Sequence, residues 1–288
     1  MPLERPVMVN RLTDQLFTAA VWSAAILVLV MFCWLLGDLL LQGGHHLSWS
    51  FLLSAPENAG RSGGIAPILV STLLILAVAL AAAIPLGLAT AAWLAEYTRD
   101  GGRGARAVRM SLDVLAGVPS IVFGLFGNAF FSIFLGLGFS ILSGGLTLAC
   151  MILPIFIRTS EMGLAAVPDE WRRGAAALGM TRAAALWHLL LPAASPAIAT
   201  GLMLGIGRAT AETAALIFTS GYVDRMPESL SDSGRSLAVH IYELSMNVTG
   251  GDEAAYASAL ILIGLIITIN AIAQALSERW LTRRIITA

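Results

Sequence analysis

Apolar residues run through this chain in long unbroken blocks, and polar residues gather in the gaps between them. A helix needs about 20 mostly apolar residues to cross a bilayer. The first block that meets this length is Leu16–Leu36. The second lies within Leu69–Leu94, in a stretch with no charge between Arg61 and Glu96. A third charge-free run extends from Asp113 to Arg158. It is too long for one span, but two short spans and a turn account for it. The turn falls on "LGLGFSILSGG", Leu135–Gly145, where glycines punctuate the pattern. A fifth span covers Leu189–Thr210 with its helix continuing to Phe218, and a sixth covers Ala257–Leu276. The expectation is an all-α membrane protein of about six transmembrane helices.

One gap is unlike the others. Between the fourth and fifth spans stands "RRGAAALGMTRAAALWHLLLP", Arg172–Pro192, basic and rich in alanine. Just before it, "VPDEWRRGAAAL" offers Pro168 and Asp169 as a helix start, with acids in the first turn followed by good helix formers. Gly179 supplies a stop, and Pro192 marks entry into the next span. The pattern predicts a short helix over about 168–179, lying along the membrane surface and ending in a fixed turn. Such an element suits a docking surface.

Composition sharpens this picture. The chain of 288 residues is 57% hydrophobic and only 12% charged, with a mean hydropathy of +0.81. Soluble domains are near a quarter charged, so these values mark an integral membrane protein. The net charge of −1 says nothing about a nucleic-acid partner, and no basic stripe suggests one, so none is expected. All 17 basic residues are arginine. A chain with no lysine has no phosphate-gripping P-loop lysine, so any ATP that powers it is hydrolysed by another subunit. Cys33 and Cys150 lie in apolar runs and read as small buried hydrophobes. His45, His46, His188 and His240 form no metal-ligand pattern, and no catalytic nucleophile motif is present.

The arginines also orient the chain, because short cytoplasmic loops carry the excess of positive charge. With the N-terminus inside, Arg5, Arg11, Arg99, Arg103, Arg106 and Arg109 fall on the inner side. Arg172, Arg173, Arg182, Arg279, Arg283 and Arg284 join them, against Arg61, Arg225 and Arg235 outside. Both termini are therefore expected in the cytoplasm. The long outer segments are Gln42–Gly63 and Ser220–Ala254, which hold Trp49, Tyr222 and Tyr242.

Several stretches resemble known sequences. "RGAAALG" (Arg173–Gly179), followed by Leu189, Leu191 and Pro192, is similar to the "EAA" loop of ABC-importer permeases. That resemblance implies a coupling helix that fits a cleft in an ATPase subunit, with Arg173, Gly174, Ala175, Gly179, Leu191 and Pro192 at the contact. Arg173 stands where that family has a glutamate and Gly174 where it has an alanine; Glu170 lies one turn earlier. "LAGVPSIVFGLFG" (Leu115–Gly127), "LTLACMILPIFIRTSEMGLAAVP" (Leu146–Pro168) and "GIGRATAETAALIFTSG" (Gly205–Gly221) resemble segments of phosphate-importer permeases. "LAVHIYEL" (Leu237–Leu244) is similar to the outer segment of the A-type, PstA-type subunit. The resemblance covers roughly residues 65–285 and implies a permease domain there. Residues 1–64 then form an N-terminal tail, a first helix and an outer loop.

The resemblance implies a type I importer permease that moves inorganic phosphate across the inner membrane by alternating access. It would work beside a homologous C-type permease, two ATPase subunits that bind ATP and magnesium, and a periplasmic phosphate-binding protein. The chain itself would not be an enzyme and would hold no cofactor. Another oxyanion such as sulfate or molybdate, or a passive anion channel, is the alternative. Charges at membrane depth face a bundle interior or a watery path. Arg208 and Glu212, four apart, read as a cationic waypoint and the group that positions it, or as a simple i,i+4 pair. Arg158 and Glu161 read as an inner exit or as a local pair. Asp113 reads as an anchor at the start of the third span. Pro85, Pro119 and Pro154 are each expected to break or kink a span.

Overall fold

The computed structural model describes residues 11–98 and 102–285; Arg5 and Arg99, both assigned to the inner side, lie outside the described residues. Helix α1 (Arg11–Gly44) is followed by a short α2 (Trp49–Leu53) and a two-rung antiparallel ribbon, β1 (Pro56–Glu57) with β2 (Ser62–Gly63). Then come α3 (Ala66–Ala92), α4 (Arg103–Ala116), α5 (Ser120–Gly127) and α6 (Ile141–Ala165). The surface helix α7 (Asp169–Ala177) and a single turn α8 (Arg182–Ala185) lead into α9 (Leu191–Thr210) and α10 (Ala214–Ile217). Helix α11 (Leu237–Met246) and the long α12 (Asp252–Ile285) follow. Wide π-type turns extend α3 over Trp93–Tyr97, extend α5 over Asn128–Phe134, and lead into α9 over Leu186–Leu190.

Five stretches are long and apolar enough to cross a membrane: Thr13–Gly44, Ala66–Tyr97, Ile141–Ala165, Arg182–Thr210 and Asp252–Ala275. The sixth pass is made differently from the expectation. α4 and the segment Ser120–Phe134 meet at an angle of 105°. The two are long enough to cross only together, as one broken pass, and Asp113 sits on α4 ahead of the bend. Gly117 ends α4 and Pro119 caps α5. The α region is disfavoured for a residue before proline, and with Gly117 next to it the helix breaks at Val118. α4 itself is amphipathic, with Arg103 and Arg106 exposed while Ala105 and Leu112 are buried. It suits an interface rather than a bilayer core. Pro85 and Pro154, by contrast, lie inside continuous helices, so only Pro119 breaks its element.

The expected turn between spans three and four is present. Gly136 and Gly138 take the left-handed φ values 70° and 61° that favour glycine. Ser140 caps α6 by accepting from the Ser143 N–H, and Ser132 and Ser143 share a 2.6 Å hydroxyl contact across the turn. The expected continuation of the fifth span does not occur: α9 ends at Thr210, and α10 starts afresh.

α3, α6 and α9 form the centre. Ile75, Leu76 and Ala79 meet Leu148, Ile152, Ile206 and Ala209 in one buried cluster. In a bilayer such packing rests on close van der Waals contact and small residues, because lipid tails are as apolar as leucine. Gly124 shows the closeness: a Cβ there would lie 2.8 Å from Ala215 Cα. A second cluster, with Leu94, Leu112, Ile157, Leu164 and Leu190, ties α4 to the C-terminal ends of the α3 and α6 spans and to the entry into α9. α1 stands apart, packed along α12 with its apolar side chains outward. Cys33 is accordingly exposed rather than buried, and Cys150 is half-buried.

α11 buries His240, which is 1% exposed and lies beside Arg235. Burial, aided by the charge of Arg235, lowers the His240 pKa to about 3. Trp49, Tyr222 and Tyr242 are exposed.

Candidate functional site

The surface helix starts and stops for reasons local to its sequence. Pro168 occupies the N-cap position, and Asp169 and Glu170 stand in the first turn, where carboxylates complement the helix dipole. At the other end the Gly179 N–H donates to the Ala176 carbonyl and the Met180 N–H to the Ala175 carbonyl, each at 3.0 Å. This is a Schellman closure, and it requires the left-handed conformation that Gly179 adopts at φ 73°. The expected helix over about 168–179 thus appears as α7 plus its closing turn.

What fixes α7 to the membrane helices is Arg172. Its guanidinium donates to both carboxylate oxygens of Glu96, with Nη2 at 2.6 Å from Oε1. It also donates to the carbonyls of Leu164 at 2.8 Å and Val167 at 2.6 Å, and to Asp169 at 3.2 Å. The two carbonyls belong to the last turn of α6 and the bend after it, where carbonyls lack helical partners. One side chain therefore joins α7 to the C-terminal end of the α3 span and caps α6. The Glu96 bond raises the Arg172 pKa above its ordinary value. The Glu96 side chain is only 12% exposed, so the pair is partly desolvated. A cavity of about 500 Å³ opens beside it, lined by Glu96, Arg172, Met180 and Arg182 among others.

Of the residues expected at an ATPase contact, Arg173, Gly174 and Gly179 are exposed, while Ala175, Leu191 and Pro192 are buried. Among the described residues Arg173 pairs only with Glu170, at 3.2 Å and with both side chains largely in solvent, a contact of about 0–1 kcal/mol. A Cβ on Gly174 or on Gly179 would meet open space. Trp171 and Leu178 also face outward. Arg172 was not among the expected contact residues; the signal for it was Glu96, a lone acid at the C-terminal end of a span otherwise free of charge.

A second charged group lies where α4 crosses α6. Arg109 Nε donates to Glu161 Oε1 at 2.6 Å, and its Nη2 donates to the Leu94 carbonyl at 3.2 Å. Arg158 Nη1 donates to Glu161 Oε2 at 3.1 Å, and Arg158 Nε stands 3.2 Å from Asp113 Oδ1. Glu161 is buried, with 8% of its side chain exposed, whereas Arg158 is 38% and Asp113 59% exposed. Arg158 and Glu161 are thus more than a local pair. They belong to a set of two arginines and two carboxylates that spans two helices.

Arg208 and Glu212 are not brought together. α9 ends between them, so the four-residue spacing no longer stacks them on one face. The buried Glu212 carboxylate turns to accept from the Ala215 N–H at 3.1 Å, capping α10. Arg208 is exposed and makes no ion pair among the described residues.

The chain matches the family model "Binding-protein-dependent transport system inner membrane component" over residues 83–283. A "Probable ABC transporter permease protein YqgI" of Bacillus subtilis (strain 168) is 29% identical, over 95% of this chain and 96% of its own. A "Phosphate transport system permease protein PstA 1" of Mycobacterium tuberculosis (strain CDC 1551 / Oshkosh) is 32% identical, over 97% of this chain and 93% of its own. Among solved structures, a bacterial ABC transporter involved in the import of alginate has a TM-score of 0.65 at 16% identity. It covers 93% of this chain and 96% of that chain. The MetNI methionine transporter in an inward-facing conformation scores 0.58 at 16% identity, over 74% and 96%. These structural likenesses show the fold.

Proposed function

Because this chain belongs to the family of binding-protein-dependent transport system inner membrane components, as a PstA-type ABC permease, we propose that its cargo is inorganic phosphate. Support for that cargo comes from the phosphate transport permeases among its relatives, 28–32% identical over most of their length. Arg208 and Arg158 are the side chains proposed to receive the anion. A guanidinium presents several donors in a fixed fork that fits phosphate oxygens two at a time. The chain itself is a permease subunit. ATP and magnesium belong to a separate ATPase pair on the cytoplasmic side, where both termini lie. A C-type permease supplies the other half of the path, and a phosphate-binding protein delivers the cargo from outside.

The observation that carries the coupling half of this reading is the hold of Arg172 on Glu96 and on the end of α6. A partner that moves α7 also moves the inner ends of two spans. In the proposed cycle, ATP binding closes the ATPase pair, α7 follows, and the path between the permeases opens outward. Glu212 takes the part of holding the α9–α10 break that presents Arg208. Arg173, Gly174 and Gly179 face the ATPase, and the buried Ala175, Leu191 and Pro192 hold that face in shape.

The test uses the intact complex in proteoliposomes, loaded with the binding protein and labelled phosphate, with sulfate and molybdate as competitors. ATP-dependent uptake that only phosphate competes away is expected. Arg208→Gln is expected to abolish uptake while the subunits still co-purify, because the exposed side chain supports no packing. Uptake retained in that variant removes Arg208 from the path, and preferential competition by sulfate or molybdate reassigns the cargo.

A further inference from the structure

The charged set at the α4–α6 crossing is unevenly built. Glu161 is buried and takes its shorter bond, 2.6 Å, from Arg109. That bond alone neutralises it. Arg158 adds a longer bond to Glu161 and otherwise faces Asp113, the most exposed member of the four. No other ion pair involves Asp113 among the described residues. Arg158 is therefore a cation with one replaceable partner, and that partner is a carboxylate in water.

We infer that Asp113 stands in for the transported anion: it occupies Arg158 when the path is empty and yields it when an anion arrives. The inference rests on the reading of Arg158 as part of the anion path. Two properties follow from the geometry. An arginine already paired with a carboxylate attracts stray anions weakly, so Asp113 limits passage when no cargo is being delivered. A phosphate carrying more charge and more acceptor oxygens competes well against a single solvated carboxylate. When it wins, the Asp113 link between α4 and α6 opens. α4 then stays attached through Arg109 and Glu161, and it can turn about that point. Because α4 runs at 105° into the third span, the turn passes to α5. Asp113 is a positioning residue that acts through Arg158; it need not touch the cargo.

Asp113→Asn in the full complex is the test, read by phosphate flux into proteoliposomes without ATP and by the KM and kcat of ATP-driven uptake. The expected result is a rise of up to about fivefold in passive flux, the range that loss of an exposed ion pair allows. KM should fall with it, and Asp113→Glu should restore both. Passive flux and KM equal to the native values overturn the inference. If the variant does not assemble with its ATPase, spin labels on native Asp113 decide. M110C and M162C in a C33A/C150A background place labels on exposed sites of α4 and α6. Inorganic phosphate should change the distance between them, and a distance indifferent to phosphate overturns the inference. Arg158→Gln separates the two levels: if it transports normally, the anion-path reading itself fails. If it loses uptake while Asp113→Asn behaves as native, only the role of Asp113 is lost.

Discussion

Removing the Arg172 side chain tests the mechanical link most directly. Arg172→Ala deletes the paired bonds to Glu96 and the bonds to the Leu164 and Val167 carbonyls. It leaves Glu96, 12% exposed, as a carboxylate without its cation. Breaking a fully buried ion pair costs about 3–5 kcal/mol. Arg172 is 25% exposed, so water can enter and soften that cost. Hydrogen bonds to a charged group are worth about 1.5–3 kcal/mol in mutational series. A loss of about 2–4 kcal/mol in the attachment of α7 is therefore expected, local to the inner layer rather than spread over the fold. Each 1.4 kcal/mol is a tenfold change in an opening equilibrium. Hydrogen exchange at the α7 amides should accordingly speed up by roughly 30- to 1,000-fold in the intact complex. Amides in the middle of α3 and α6 should keep their protection. Phosphate uptake should fall while ATP hydrolysis continues, because a loosened α7 transmits less motion. Glu96→Gln combined with Arg172→Ala should cost little more than Arg172→Ala alone, since both act on one contact. Unchanged α7 protection with unchanged uptake in Arg172→Ala refutes the link.

Two other outcomes follow from single residues. Gly179→Ala places a Cβ on a residue held at φ 73°, a cost of about 1–2 kcal/mol, although the space around it is open. Faster exchange confined to Leu178–Met180 and weaker ATPase co-purification should result, and a native exchange pattern removes the left-handed requirement. His240 is held neutral down to a pKa of about 3 by burial beside Arg235. The unfolded chain takes up its proton near the ordinary value of 6.5 and the native one does not. Stability should therefore be full above pH 6.5 and fall by about 1.4 kcal/mol per unit between 6.5 and 3. Thermal unfolding between pH 7.5 and 4.5 reads the slope, and His240→Gln should flatten it; an unchanged slope assigns it elsewhere.

Much of the architecture was legible because bilayer spans are written in long runs. The blocks at Leu16–Leu36, Leu69–Leu94 and Ala257–Leu276 lie within α1, the α3 span and α12. The surface helix was legible too, since Pro168, two acids and Gly179 are local signals. The break at Pro119 was legible as well, but not that the segment before it would fold as a separate helix set at 105° to the next. A charge-free run hides where helix direction changes. Glu212 misled for a related reason. Spacing of four implies contact only while the helix continues, and α9 stops two residues earlier. The links of Arg172 to Glu96 and of Arg109 to Glu161 join residues 76 and 52 positions apart. Neither spacing nor composition predicts such pairs, which are fixed by how the spans pack.

The inner layer uses charge where the rest of the molecule uses apolar contact, and the difference has a mechanical meaning. Apolar packing between helices in a bilayer rests on many weak van der Waals contacts, so the α3–α6–α9 contacts can shift by small steps. Paired bonds from a planar guanidinium set orientation. α7 cannot tilt against α3 without lengthening the Arg172–Glu96 bonds, nor against α6 without uncapping Leu164 and Val167. It is a rigid lever. The α4–α6 crossing combines one short buried bond with one longer solvated pair, and links of unequal strength make a joint. On the proposed reading, a lever moved from the cytoplasm and a joint released by an anion share the helix α6. Motion of α6 driven from α7 must therefore alter the Arg158–Asp113 distance, unless α4 follows it completely. Coupling between nucleotide and cargo then needs no contact between their sites, only that both bias the placement of this one helix.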